Sequence, residues 1–183
     1  MSKVDATELS SLLESLNGIV NHSTDLPSNV FIGRKFVFRF FERPLFCFNE
    51  LFCGLISESI SSFRSKVYVK FLGVEPVVDS CFCITGGNVD EGVFLINKIF
   101  ESFDEGRLGY PIVIFSENFE WVAFESAREE FGVIAVQSSV AHQDFIKALD
   151  LNFMSRSELS ELALGEGAEG VIAKNLIYSY FDV

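Results

Sequence analysis

Asn118-Phe-Glu-Trp-Val-Ala-Phe-Glu-Ser-Ala-Arg-Glu-Glu-Phe-Gly-Val-Ile-Ala-Val136 decides the fold, because it fits two incompatible templates. Read as extended chain, Trp121, Ala123 and Glu125 share one face while Val122 and Phe124 share the other. Ala127 to Glu130 then turn the chain into a second strand, Phe131 to Gln137, a short apolar run rich in β-branched residues. Read as a helix, the stretch runs from Glu117 to Phe131 and stops at Gly132. The hairpin is the preferred reading, with the helix kept as its alternative. In the hairpin, Trp121 and Glu125 can face outward beside an acidic turn; the competing expectation is that a lone Trp packs beneath covering helices.

Working outward, the chain alternates between helical and extended periodicity. Leu9, Leu12, Leu13 and Leu16 recur at helical spacing behind Asp5, a suitable N-cap. A polar stretch, residues 21–29, leads into Lys35 to Phe40, where Phe36, Phe38 and Phe40 share a strand face. Phe52, Leu55, Ile56, Ile60 and Phe63 return to helical spacing, with Asn49 placed to cap them. Two extended segments follow, Lys66 to Val74 and Val77 to Thr85. Past Gly86-Gly87 a helix begins at Asp90-Glu91, with apolar positions Phe94, Leu95, Ile99 and Phe103. Pro111 to Ser116 reads as a buried strand. The last third is helical: Ala141 to Leu149, a helix opened by a Ser155/Glu158 capping box, and Ala168 to Tyr180. These elements predict a single α+β domain, residues 1–183, with a mostly antiparallel central sheet flanked by helices and a helical C-terminal third.

Composition narrows the class. Apolar residues make up 49% of the 183, with 21 Phe, so the chain is too hydrophobic to stay disordered. No apolar run reaches the roughly 20 residues of a membrane helix. The N-terminal residues carry acids where a signal peptide needs a basic start, so a cytoplasmic location is expected. Cys47, Cys53, Cys81 and Cys83 sit among apolar neighbours, as buried reduced thiols do. Cys81 and Cys83 have a single residue between them, too close for the usual zinc spacing, and would share a strand face pointing into the core. No metal site and no cofactor is expected.

Charge is the feature that points to function. The chain carries 26 Asp and Glu against 14 Lys and Arg, a formal charge of -12, and residues 75–130 hold twelve acids against Lys98, Arg107 and Arg128. Such a surface repels phosphate backbones, which argues against nucleic-acid binding, and attracts basic proteins. It could also imitate DNA toward a DNA-binding protein, or serve only to keep a Phe-rich chain in solution.

A resemblance sharpens the electrostatic reading. Ile112 to Phe115, Glu120-Trp121, Ala127-Arg128-Glu129-Glu130 and Gly132 to Val136 form a strand, an acidic stretch with Trp, a charged turn and a small-apolar strand. The pattern, over about residues 109–138, resembles the final hairpin of cytosolic immunity proteins that neutralise bacterial polymorphic or contact-dependent toxins. The resemblance implies a small acidic α+β protein that inhibits one basic toxin, frequently a nuclease. No motif is sharp enough to carry over individual binding residues. The density of acids beside a residue type common in binding hot spots places the expected interface at residues 101–130: Asp104, Glu105, Glu117, Glu120, Trp121, Glu125, Glu129 and Glu130.

The competing class is an enzyme or small-ligand protein whose many Phe line a pocket. It finds no catalytic set: His22 and His142 are the only histidines and neither sits in a metal-ligand motif. His142 with Asp144 opens a helix, and no cysteine has neighbours that would lower its thiol pKa. Gly165-Glu-Gly167-Ala-Glu-Gly170 has the spacing of a dinucleotide fingerprint, but it follows a helix rather than a strand, and its glutamates would repel pyrophosphate.

Overall fold

Residues 118–136 form a hairpin in the computed structural model: strands β6 (Trp121–Glu125) and β7 (Phe131–Gln137) pair antiparallel, with Trp121 opposite Val136 and Glu125 opposite Gly132. Every residue is described except His22, Arg34, Arg107, Leu108, Val140, Ala141, Asp182 and Val183, together with the Asp104 side chain. The run Trp121-Val-Ala-Phe124 would place apolar side chains all round a helix. A strand covered on both faces buries the whole run, and all five residues of β6 are buried. Gly132 has a packing role rather than that of a helix stop. It lies opposite Phe41, and a Cβ on it would run into the Phe41 ring.

Around this hairpin seven strands form one fully antiparallel sheet, in the order β1-β4-β3-β5-β6-β7-β2. The other strands are β1 (Ser2–Lys3), β2 (Phe36–Glu42), β3 (Val67–Phe71), β4 (Cys81–Ile84) and β5 (Ile112–Ser116). Helices cover both faces. On one side, α2 (Asn49–Phe63), α3 (Val89–Ser102) and α4 (Gln143–Leu149) pack over Val67, Val69, Ile112, Ile114, Trp121 and Ile134. On the other, α1 (Ala6–Asn17), α5 (Arg156–Leu162) and α6 (Ala168–Phe181) pack over Tyr68, Cys81, Cys83, Val113, Val122 and Phe124. The α+β class and the antiparallel sheet follow the sequence reading, as does the C-terminal run of helices. Among the described residues, no helix is long and apolar enough to cross a membrane.

Local signals explain most of the elements. The Asp5 carboxylate accepts from the N–H groups of Thr7 and Glu8, at 2.8 and 2.9 Å, and starts α1. Ser155 and Glu158 complete the capping box of α5. Phe38 and Phe40 turn one face of β2 to α6, where both meet the Tyr180 ring edge-on, at 5.0 and 5.4 Å.

Three expectations are corrected. Asn49 does not cap α2; Phe48 holds that position, and the Asn49 side chain instead accepts a hydrogen bond from Asn97 of α3, tying the two helices together. α3 keeps Ile99 and Phe103 against the core as expected, but Phe94 is exposed, and Val93 and Ile96 are buried instead. Gly92 lies directly on Ile84, where a Cβ would stand 3.1 Å from a methyl group, so the first turns of the helix meet the sheet through Gly92, Val93 and Ile96. Cys47 is exposed at the end of a 3-10 turn, Leu45–Cys47, whereas Cys81 and Cys83 lie in the core.

Candidate functional site

The acids that crowd together in sequence are dispersed in space. Glu117 and Glu120 lie in the β5–β6 turn, and Glu129 and Glu130 lie in the β6–β7 turn. The five residues of β6 separate these turns by roughly 16 Å, putting them at opposite ends of the sheet. Glu105 is exposed in the turn after α3, and the Asp104 side chain lies outside the described residues.

At the first end the carboxylates are engaged within the fold. Glu117 pairs with Lys66 at 3.3 Å, and Glu120 accepts from the Ser116 hydroxyl at 2.7 Å and from Asn118 at 3.2 Å. At the second end, the turn is pinned by the Ser126 hydroxyl, which accepts from the N–H groups of Arg128 and Glu129 at 3.0 and 2.8 Å. Glu130 is exposed there and Glu129 half-buried.

Trp121 and Glu125 do not face outward as the hairpin reading allowed; both are fully buried beneath the helices. The Trp121 indole N–H donates to the Ser59 hydroxyl of α2 at 2.7 Å, and its ring packs on Phe145 of α4 at 5.8 Å. One oxygen of Glu125 accepts the Leu45 N–H at 2.9 Å, and the other has no hydrogen-bond partner. Burial pushes this carboxyl up to about 7, against the opposing pull of the Leu45 N–H and the Arg43 charge. Both side chains are engaged within the fold.

A groove lies elsewhere, between α2 and the C-terminal end of α4. Its volume is about 710 Å³, with a floor of Leu51, Leu55, Leu149 and Phe153 and with Glu50 and Glu58 along its α2 side. Phe48 and Leu151 stand at its margins, 44% and 83% exposed. Among the described residues, no Lys or Arg lines it. Sequence reasoning missed this place, because its halves lie about a hundred residues apart in the chain.

A second concavity, of about 350 Å³, lies where the loop after α1 meets the ends of β3, β5 and β6. Its charged residues are Asp25, Glu75 and Arg128. Asp25 is already committed, accepting from the N–H groups of Leu26 at 2.8 Å and Ala127 at 3.3 Å. Lys70, fully buried on the sheet face that carries its cross-strand partner Val113, donates to the Phe71 carbonyl at 2.5 Å, and burial lowers its ammonium to about 8. It lines neither cavity.

The residues weighed for catalysis do not converge. His142 sits with Nδ1 2.8 Å from the Gln137 carbonyl and its ring against Phe63, outside both cavities, and His22 lies outside the described residues. Phe side chains stack in the two core layers rather than line a pocket; Phe48 and Phe153 in the groove and Phe124 in the second concavity are the exceptions in these two cavities. Among the described residues, no group of three or more His, Cys, Asp and Glu could hold a metal ion. Comparison with protein families, with characterised proteins and with solved structures found no match for this chain.

Proposed function

We propose that this chain is an acidic interaction protein that acts in the cytoplasm by binding a basic partner protein and blocking it, as an immunity protein blocks its cognate toxin. The observation that carries the reading is the disposition of charge. The chain carries -12, and Glu125 is the only buried carboxyl among the described residues, so nearly all of that charge faces water. Solubility is served by a net charge of about 2 to 8 in a small domain, and this chain goes beyond it. A field of this sign draws in basic surfaces and speeds their encounter. A nuclease is a fitting partner, because the surface with which it holds a phosphate backbone is itself basic.

The experiment begins with the neighbouring reading frame. Where that frame encodes a toxin, co-expression of this chain restores growth, the purified proteins form a stoichiometric complex, and stopped-flow association slows as salt rises. A metabolic neighbour with no toxin, or a complex whose association rate ignores salt, refutes the reading.

A further inference from the structure

We infer that the groove between α2 and α4 is the docking site for a basic, partly apolar segment of the partner, which seats an apolar side chain over Gly54 and directs basic side chains at Glu50 and Glu58. This rests on the reading of the chain as an acidic interaction protein, and adds where contact is made and with what chemistry.

Gly54 is the first argument. A glycine inside a helix costs about 1 kcal/mol relative to alanine, so it needs a reason. The other two helical glycines have one: a Cβ at Gly92 would press on Ile84, and one at Gly170 would collide with the backbone of Gly165. A Cβ at Gly54 would meet nothing within 4 Å. The fold itself leaves this glycine unexplained, and it opens on the groove. A close-lying segment from outside the chain supplies the missing reason.

The margin of the groove points the same way. Leu151 is 83% exposed, yet it is held in place: the Leu151 N–H donates to Ala148 at 3.4 Å, and the Asn152 N–H donates to Leu149 at 3.1 Å. Flanking it, Asp150 is paired to Arg39 of β2, and Met154 exchanges backbone hydrogen bonds with Phe40 at 2.8 and 2.9 Å. A leucine presented to water by so fixed a turn, across the groove from an exposed Phe48, forms an apolar margin ready for a partner.

Charge then selects the occupant. Glu50, Gly54 and Glu58 are four residues apart, so they form one stripe along α2, with the carboxylates about 12 Å apart on either side of the glycine. The uncapped N-terminus of α2 contributes about half a positive charge, which two full carboxylates outweigh. Lys147 of α4 is paired with Asp144 and does not line the groove. A second copy of this chain would bring like carboxylates together, so a basic segment is the fitting occupant.

The test is an NMR titration of the isotope-labelled protein with a short amphipathic Leu/Lys peptide, with a Leu/Glu peptide as control. The Leu/Lys peptide should shift the amides of residues 48–58 and 148–153, and the Leu/Glu peptide should not. Gly54→Leu, which fills open space, should weaken Leu/Lys binding about tenfold or more without lowering the melting temperature, and exposed Leu151→Ser should weaken it too. Leu/Lys binding that maps to other acidic faces and ignores Gly54→Leu overturns the groove but leaves the basic-partner reading standing. Failure of the Leu/Lys peptide to bind anywhere counts against both. Equal binding of the Leu/Glu peptide, or a concentration-dependent dimer in sedimentation that Leu151→Ser abolishes, also overturns the assignment.

Discussion

Glu125→Gln should remove a pH dependence that wild-type stability shows between about pH 4.5 and pH 7. The Glu125 carboxyl is fully buried on β6, and its folded-state pKa lies near 7, above the ordinary 4.5. Within that window the folded state keeps a proton that the unfolded state releases, so stability falls as pH rises. At about 1.4 kcal/mol per pH unit, the full interval is worth about 3 kcal/mol, lost progressively and completely above pH 7. Glutamine is neutral throughout and keeps an oxygen for the Leu45 N–H, but it puts an amide N–H where the second oxygen has no partner. That orphan costs about 1 to 3 kcal/mol at every pH. The variant is therefore less stable than wild type near pH 5 and closes the gap, or overtakes, near pH 8. The quantity to read is the change in their difference, about 2 to 3 kcal/mol across that range. Urea unfolding followed by the fluorescence of Trp121, the single Trp, which is buried against Phe145, measures it. Parallel stability curves for the two proteins would refute the claim that Glu125 sets the slope.

Lys70 should act with the opposite sign at higher pH. Its folded-state pKa is about 8 against 10.5, so wild-type stability rises by about 2 to 3 kcal/mol between those values, and Lys70→Met should flatten the rise in alkaline urea titrations. Trp121→Phe leaves the buried Ser59 hydroxyl without its indole donor and should cost about 1 to 3 kcal/mol by thermal melt; an unchanged melt would deny that bond a role. Cys47 should label quickly in the native protein, while Cys81, whose thiol burial pushes up to about 12, and Cys83 should label only on unfolding; mass spectrometry of a timed labelling reaction decides this. Lys substitutions at both Glu129 and Glu130 should leave the melting temperature unchanged. If partner affinity collapses in that double variant but survives Gly54→Leu, contact is made at the β6–β7 turn and not in the groove.

Fold and site differ in legibility for a physical reason. Local signals carried the elements: Asp5 caps α1, Ser155 and Glu158 box the start of α5, and alternation sorts Phe36, Phe38 and Phe40 onto one side of β2. Local signals failed wherever a distant packing partner decided the outcome. The exposure of Phe94 goes with the close approach of Gly92 to Ile84, and Asn49 is drawn to Asn97 instead of capping its own helix. Period-two alternation correctly put Trp121 and Glu125 on one face. It says nothing of whether that face is covered, and the cover comes from Ser59 and Phe145, far away in the chain.

Density of acids along the chain does not carry over into one cluster in space, for a related reason. A strand of five residues carries its two turns to opposite ends of a sheet, so closeness in sequence between Glu120 and Glu129 becomes separation in space. The groove inverts this relation, since Glu50, Gly54 and Glu58 meet Leu151 only after the sheet has been built between them. One trace of it was nonetheless readable: a helix-interior glycine with an acid four residues to either side, where propensity alone would favour alanine. A local choice that conflicts with the element around it, and that the finished fold does not explain, points to a demand from outside the chain. Gly54 meets both conditions, whereas Gly92 and Gly170 meet only the first.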